Sequence, residues 1–476
     1  MANSLKKYQS NLDSELFALS LDPDEKTALQ MQLLEGLRSI IVSSPKYAGA
    51  RLPASRMLSA ELSVSRTTVQ AAYDQLISEG YLITRQGSGT FIAENVSHLA
   101  PPRPRAKISR YKVDSWLPFQ TGLPDTSLMP HALWARHLDR AWRRPDPELL
   151  ARADPLGWYP LRAAISDHLA TWRNLNCAPE QIIITSGAWE SLELICRTLI
   201  GEGNTVTVED PCWHKTRDVL SLTGLTEHSA RIDHDGLNPA NISHNSAAVI
   251  VTPSRHYPTG RSLPMPRRIS LLDWADRVGG LIIEDDYDSE FRYQGYPLPS
   301  LSGLDGLQHT LYLGSFSKLI STALRIGYMV VPKRLVDKAR AYLEQVGPRA
   351  SLIPQPALAA FMQSGDFAIH LRRMRRIYVQ RQSHLISELR AVEDLLEIHP
   401  DVAGMHLCLP LKPGLAARTT DQGISRLARQ QRLSVGALSA HCVLPTKQQA
   451  LLLGYAAFDN EVLTKAASKL CHVLRD

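Results

Sequence analysis

From residue 181 onward the chain repeats one pattern: a short Val/Ile-rich run, a turn, and a stretch with helical periodicity. The runs are QIIITSG (181–187), NTVTVEDP (204–211), AAVIVTPS (247–254), GLIIEDDY (280–287) and TLYLGSFSK (310–318), with WESLELICRTL and ISLLDWADRV among the stretches between them. Continuous apolar runs belong to strands buried on both faces, and the helical stretches supply the crossovers. This part of the chain is therefore expected to fold as a mostly parallel, doubly wound α/β sheet flanked by helices. In such sheets ligands sit beyond the carboxyl ends of the strands, and the chemically distinctive residues of this chain fall there.

The first hundred residues follow a different rule. Leu29, Leu33, Leu37 and Ile41 recur every four residues, with Leu34 and Ile40 widening the stripe, which predicts an amphipathic helix ending near Ser43–Pro45. A short helix from about Ser55, a turn at Ser63–Ser65 and a second helix capped by Ser65 follow. Val69, Ala72, Tyr73 and Leu76 share one face of the second helix and leave Arg66, Thr67 and Gln70 on another. A hairpin over 81–93 turns at Gln86-Gly87-Ser88-Gly89. Two short helices across a tight turn, the second opening with exposed polar and basic residues, suit a DNA major groove, and a glycine-rich wing can approach a phosphate or the minor groove.

Residues 94–116 carry three prolines and five basic residues without apolar periodicity, and the segment 94–118 is expected to form a linker. The expected organisation is thus an N-terminal extension (1–25), a DNA-binding domain (26–93), the linker (94–118) and a large α/β domain (119–476). With 476 residues, 44% apolar and 21% charged, the chain can bury several cores. Its net charge of +6 permits an anionic partner without demanding one. The six cysteines lack Cys-x-x-Cys spacing, which suggests neither a zinc site nor a disulfide framework. No secretory pattern and no run long enough to span a membrane is present, so a soluble, cytoplasmic protein is expected.

The blocks LPASRMLS, VSRTTV, YDQLISEGYL and GSGTF, in that order within 52–92, resemble the winged helix-turn-helix of GntR-type bacterial regulators. The resemblance implies DNA contacts from Arg56, Ser65, Arg66, Thr67, Thr68 and Gln70, and from the wing residues Gly87, Ser88, Gly89 and Thr90. Residues 43–93 carry a net charge of only about +2, so one copy should bind weakly and a pair usefully.

In the α/β part, Thr185-Ser186-Gly187 ends one run and opens a helix whose free amides could meet a phosphate, or it is simply a turn. Trp213 could stack on a flat ligand or only pack. Glu284-Asp285-Asp286 crowds three carboxylates, which need a cation, a proton or a metal, or serve as a helix cap. Ser315, Ser317 and Arg325 surround Lys318 with groups suited to an anion. Pyridoxal 5'-phosphate uses all of these groups together, Lys318 covalently.

Residues 120–458 resemble the fold-type I aminotransferases through TSGAWESLEL, VEDPCW, VTPSRHYPTG, IIEDDYDSEFRY and GSFSKLISTALRIGY. With the winged helix, the chain resembles MocR-type regulators, a branch of the GntR superfamily in which an aminotransferase-like domain serves as effector sensor. The resemblance implies a mostly parallel sheet with a small C-terminal α/β subdomain, and a homodimer. It makes Lys318 the Schiff-base lysine, Asp285 the partner of the pyridine nitrogen, Tyr287 that of the phenolic oxygen and Trp213 the stacking ring, with the phosphate at Ser186, Gly187, Ala188, Ser315, Ser317 and Arg325. Two departures stand out. Tyr257 replaces the usual Asn before Pro-Thr-Gly, and QQALLLGYAAF (448–458) lacks the usual carboxylate-binding arginine, a role that Arg255 or Arg418 would have to fill. The expected function is a cofactor-dependent regulator that senses an amino compound or the cofactor itself and controls promoter binding. The alternative is a working aminotransferase with an accessory DNA-binding domain.

Overall fold

The computed structural model describes residues 12, 16, 19–43, 47–94, 96, 116–151 and 154–475. Most of the expected extension (1–25) and linker (94–118) lies outside them. The chain divides into two compact units, Met1–Asp114 and Ser115–Asp476.

In the first unit α1 (Leu29–Ser43) buries Leu33, Leu34, Leu37 and Ile41, the stripe that its four-residue spacing prescribes. It is followed by α2 (Ser55–Glu61), α3 (Arg66–Ser78) and the antiparallel pair β1 (Leu82–Arg85) and β2 (Gly89–Ile92). Ser65 caps α3, its Oγ accepting from the Thr68 amide at 3.0 Å. Val69, Ala72, Tyr73 and Leu76 pack with Leu58 and Leu82 into one core, each large aliphatic side chain contributing about 1.5–3 kcal/mol of burial. Arg38 and Glu79 tie α1 to the end of α3 at 2.6 Å.

The second unit is built on an eight-stranded sheet. In chain order its helices and strands include α4 (Tyr159–Arg173), β3 (Ile182–Thr185), α5 (Ala188–Leu194), β4 (Thr205–Asp210), α6 (His214–Leu222), β5 (Thr226–Asp233), β6 (Gly236–Leu237) and β7 (Ser246–Val251). They continue through α7 (Met265–Val278), β8 (Leu281–Asp286), β9 (Thr310–Ser315) and β10 (Gly327–Val330). The sheet order is β3-β10-β9-β8-β7-β4-β5-β6. Pairings β4–β5, β4–β7, β7–β8 and β8–β9 are parallel. Alternate residues enter different cores: Ile183, Ile283 and Leu311 face one cluster, Ile182, Ile184 and Tyr312 another. Burial of both faces is the reason that the runs read as continuous apolar sequence.

Two strands depart from the parallel pattern. β10 is antiparallel to β3 and β9, and β6 to β5. Residues 316–326, between β9 and β10, are too few for a parallel crossover, which takes about a dozen or more. β9 and β10 also approach closely, since a Cβ on Gly314 would strike the Tyr328 ring.

A smaller antiparallel sheet in the order β11 (His406–Pro410), β13 (Ala450–Gly454), β12 (Gly436–Ala437) packs with α8 (Asp366–Leu389) and α9 (Asn460–Arg475) into the core that also holds Phe119 and Tyr378. Among the described residues no helix is long and apolar enough to cross a membrane, and all six cysteines are free.

Candidate functional site

The carboxyl ends of β4, β8 and β9 and the start of α5 converge on a cavity of about 330 Å³ lined by Lys318, Asp285, Tyr287, Trp213, Ser315 and Ala188. A further cavity of about 400 Å³ lies at Asp210, Arg231 and Cys442, and Lys318 does not line it. The Lys318 amine donates to the Gly122 carbonyl at 2.6 Å. Burial pushes its pKa below the ordinary lysine value, a shift that the carboxylates of Asp288 and Asp285 partly oppose. Gly122 has φ +71, and a Cβ there would lie 2.8 Å from Lys318 Nζ. The glycine is thus needed both for its backbone and for the space above the amine.

The three crowded carboxylates separate along β8 by strand alternation. Glu284, fully buried, accepts from the Ser302 amide at 2.9 Å and the Leu301 amide at 3.1 Å. Asp286 is paired with Arg173 Nε at 2.8 Å and accepts from the Tyr312 hydroxyl at 2.6 Å. These two carboxylates serve the fold and share one buried guanidinium, that of Arg173. Asp285, between them, points the other way and lines the cavity, and among the described residues its carboxylate takes part in no hydrogen bond or ion pair. Burial, reinforced by the charge of Asp286 and opposed by that of Lys318, raises its pKa to about 7.

Tyr287 accepts a hydrogen bond from Arg255 Nη1 at 3.0 Å, which leaves its own O–H to donate elsewhere. Burial, together with the Asp288 charge, raises the phenol well above its ordinary pKa, so it is a neutral donor. Tyr257 lies edge-on to Tyr287, with ring centroids 5.8 Å apart, and edge-on to His406 at 5.5 Å. Where the aminotransferase pattern has an amide, this cavity therefore has an aromatic wall. His406 Nε2 donates to the Pro258 carbonyl at 3.0 Å, and burial next to Arg255 holds the ring neutral.

Four of the ten residues expected at the cofactor do not line the cavity: Ser186, Gly187, Ser317 and Arg325. The Ser186 amide is already bonded to Glu190 Oε2 at 2.6 Å. Gly187 adopts φ +133, and a Cβ on Gly327 would fall 2.8 Å from its Cα, so the two glycines let β10 pass beside the opening turn of α5. The Ser317 amide donates to Ser315 Oγ at 3.2 Å. Arg325 is exposed, with φ +50 in the turn before β10. Neither arginine considered as a substitute carboxylate receptor is in position. Arg418 is exposed and away from the cavity lining, and Arg255 is saturated by Asp401, Asp288, Tyr287 and the His406 carbonyl.

Sequence reasoning missed Gly122, Asp288 and His406, which also line the cavity. Gly122 is 196 positions from Lys318, and only the fold joins them. Asp288 does stand in the acidic DDYD block, and that proximity to Asp285 and Tyr287 was a usable signal.

In the first unit Arg56, Ser65, Arg66, Thr67 and Gln70 are exposed, and Thr68 is half-buried. Ser65 Oγ bonds the Thr67 hydroxyl at 2.6 Å and the Thr68 hydroxyl at 2.7 Å, while Gln70 donates to Asp74 at 2.9 Å. Gly87, Ser88 and Gly89 form the exposed tip of the hairpin, with φ +74 at Gly87 and +104 at Gly89. Thr90 is half-buried, and its carbonyl accepts from the Leu52 amide at 2.9 Å.

Residues 29–92 match the family of bacterial regulatory proteins of the gntR type, and residues 146–470 match aminotransferase class I and II. The chain is 34% identical to a probable rhizopine catabolism regulatory protein, MocR, of Rhizobium meliloti, over 95% of each chain. It belongs to the MocR-type GntR regulators. It is also 35% identical to the pyridoxine biosynthesis transcriptional regulator PdxR of Corynebacterium glutamicum, over 94% of this chain and 96% of that one. Among solved structures, an archaeal alanine:glyoxylate aminotransferase superposes with TM-score 0.69 at 21% identity, covering 76% of this chain and 91% of its own, a likeness of fold alone. The α-aminoadipate aminotransferase LysN of Thermus thermophilus, complexed with N-(5'-phosphopyridoxyl)-L-leucine, superposes with TM-score 0.67 at 25% identity, covering 75% and 92%. As a MocR-type chain, this protein is a transcriptional regulator with a DNA-binding winged helix and an aminotransferase fold.

Proposed function

We propose that this MocR-type regulator binds pyridoxal 5'-phosphate covalently at Lys318, senses an amino compound or the cofactor itself there, and changes its hold on promoter DNA in response. The observation that carries the reading is Asp285: a carboxylate on the cavity wall without a hydrogen-bond or ion-pair partner among the described residues, in a site whose lysine has its pKa lowered by burial. An acceptor without a donor fits the N–H of a pyridinium ring. The Tyr287 hydroxyl, already accepting from Arg255, has a proton to give a phenolate oxygen. Trp213 offers a ring face, Ser315 a hydroxyl and Ala188, at the start of α5, a backbone amide to a phosphate, and about 330 Å³ lies within the range of cofactor sites.

Pyridoxal phosphate, when bound, supplies an aldehyde that condenses with primary amines. Burial keeps the Lys318 amine closer to its nucleophilic, uncharged form. Asp285 would hold the proton on the ring nitrogen, and Tyr287 would orient the phenolic edge. The site is proposed to sense rather than to turn over amino acids, because among the described residues no arginine lines the cavity to grip a substrate carboxylate. A homodimer is proposed as the working state, two winged helices then reading paired half-sites.

Borohydride reduction of the cofactor-treated protein followed by peptide mass analysis tests the reading. A pyridoxyl adduct on Lys318, absent from Lys318→Ala, is expected, together with operator affinity that changes when the cofactor or an amine is added. An adduct that persists in Lys318→Ala would sink the assignment. Turnover of common amino donors at about 1 per second or faster would favour the enzyme.

A further inference from the structure

Asp288 follows the residue expected at the phenolic oxygen, and no role was expected of it. It lines the cavity and is only 1% exposed. Its Oδ2 accepts from Arg255 Nη1 at 3.3 Å, whereas its Oδ1 is buried with no hydrogen-bond partner among the described residues. A bare carboxylate oxygen in a buried site costs stability unless something donates to it. The neighbouring guanidinium has no capacity left: Arg255 Nε and Nη2 hold Asp401 at 3.2 and 2.7 Å, Nη2 also holds the His406 carbonyl at 2.8 Å, and Nη1 holds Tyr287 at 3.0 Å. Arg255 thus faces two carboxylates with one positive charge and offers nothing to a third. Asp288 and Lys318 line the same cavity.

Building on the Lys318 reading above, we propose that Asp288 is a ligand-binding residue that accepts a hydrogen bond from a second donor, a hydroxyl or ammonium, on the amine captured at Lys318. The effector class is then an amine with a second donor and without a carboxylate. Above about pH 7, where Asp288 is ionised, a carboxylate at that end would meet it as a like charge with no free arginine to offset it.

Four amines of matched length test this by calorimetry above about pH 7, where Asp288 is ionised, on the full chain loaded with pyridoxal phosphate: 1,3-diaminopropane, 3-amino-1-propanol, n-butylamine and β-alanine. The diamine and the amino alcohol are expected to bind at least about tenfold more tightly than n-butylamine, as a hydrogen bond to a buried charge implies, and β-alanine more weakly than all three. Asp288→Asn should bring the diamine down to the affinity of n-butylamine. Asp401→Asn removes an equal charge from Arg255 without touching the cavity, and should keep the preference. The visible band of the bound cofactor reports that each variant is folded. Equal loss of preference in both variants would make Asp288 a mere counter-charge and overturn the proposal. A wild-type protein that took up the cofactor but preferred β-alanine would overturn this inference alone. One that took up no cofactor would overturn the Lys318 reading as well.

Discussion

Arg255 Nη1 donates to the Tyr287 hydroxyl at 3.0 Å, while Nη2 of the same guanidinium holds Asp401 at 2.7 Å. Tyr287 follows β8 of the large sheet, and Asp401 precedes β11 of the small one. A single buried cation therefore orients a cavity residue and fastens the small sheet to the large.

Removing that cation leaves Asp288 and Asp401 buried or half-buried, alike in charge and unpaired. Arg255→Met should destabilise the protein by about 3–5 kcal/mol, the scale for breaking a buried pair by removing one partner. Arg255→Lys, which keeps the charge but not the forked geometry, should recover only part of the loss. Urea unfolding curves measure both, and a change under about 1 kcal/mol for Arg255→Met would refute the role of fastener.

Gly122→Ala places a methyl 2.8 Å from Lys318 Nζ on a backbone at φ +71. The strain should cost about 1 kcal/mol of stability. The larger consequence should be a displaced amine, read as slower and weaker covalent uptake of pyridoxal phosphate. Unfolding and uptake are measured separately, and uptake equal to wild type would show that the amine does not need its place against the Gly122 carbonyl.

Asp285, Asp288 and Glu209 are each raised to about 7, in every case by burial first, against ordinary values of 3.8 for Asp and 4.5 for Glu. Between pH about 4 and about 7 these three groups therefore hold more protons in the folded chain than in the unfolded one, and their contribution to the free energy of unfolding falls as pH rises. The stabilisation is complete below the ordinary carboxylate range and is lost as pH climbs through about 7. Asp285→Asn should flatten the slope of the cofactor-free protein by at most about 1.4 kcal/mol per pH unit. Parallel pH–stability curves for the two proteins would contradict the burial of that charge.

The eight-stranded sheet was legible because burial of both faces writes itself into the sequence as unbroken Val/Ile runs, as in Ile182–Ile184 and Ala248–Val251. The winged helix was legible through the Val69, Ala72, Tyr73 and Leu76 stripe and the Ser65 cap. Less visible was the direction of β10, which depends on the short 316–326 connection rather than on its composition. The site was legible where chemistry sits at strand ends, at Asp285, Tyr287, Ser315 and Lys318. It was not where distant segments meet, as Gly122 meets Lys318 and Arg255 meets Asp401, because no local periodicity encodes a contact across 146 or 196 positions. The crowded carboxylates announced a cation without saying which: for Glu284 and Asp286 it is Arg173, brought from α4.

The winged helix makes a separable prediction. Arg66 opens α3, exposed, beside Thr67, where its side chain can reach a base edge in a major groove. Arg56 stands exposed on α2, the preceding helix, where phosphate contact is the expected role. Arg66→Ala should therefore cost about 1–3 kcal/mol per half-site, felt on the true operator more than on scrambled DNA. Arg56→Ala should weaken both DNAs alike and lower the slope of log affinity against log salt by about 1. Ser65→Ala should act differently, removing the cap from α3 at a cost of about 1 kcal/mol in folding and weakening DNA binding only through the helix start. Titrations of the three variants on operator and scrambled fragments at several salt concentrations separate these outcomes. Unchanged operator affinity in both arginine variants would remove α3 and α2 from the interface and leave the wing at Gly87–Thr90 as the remaining candidate surface of this unit.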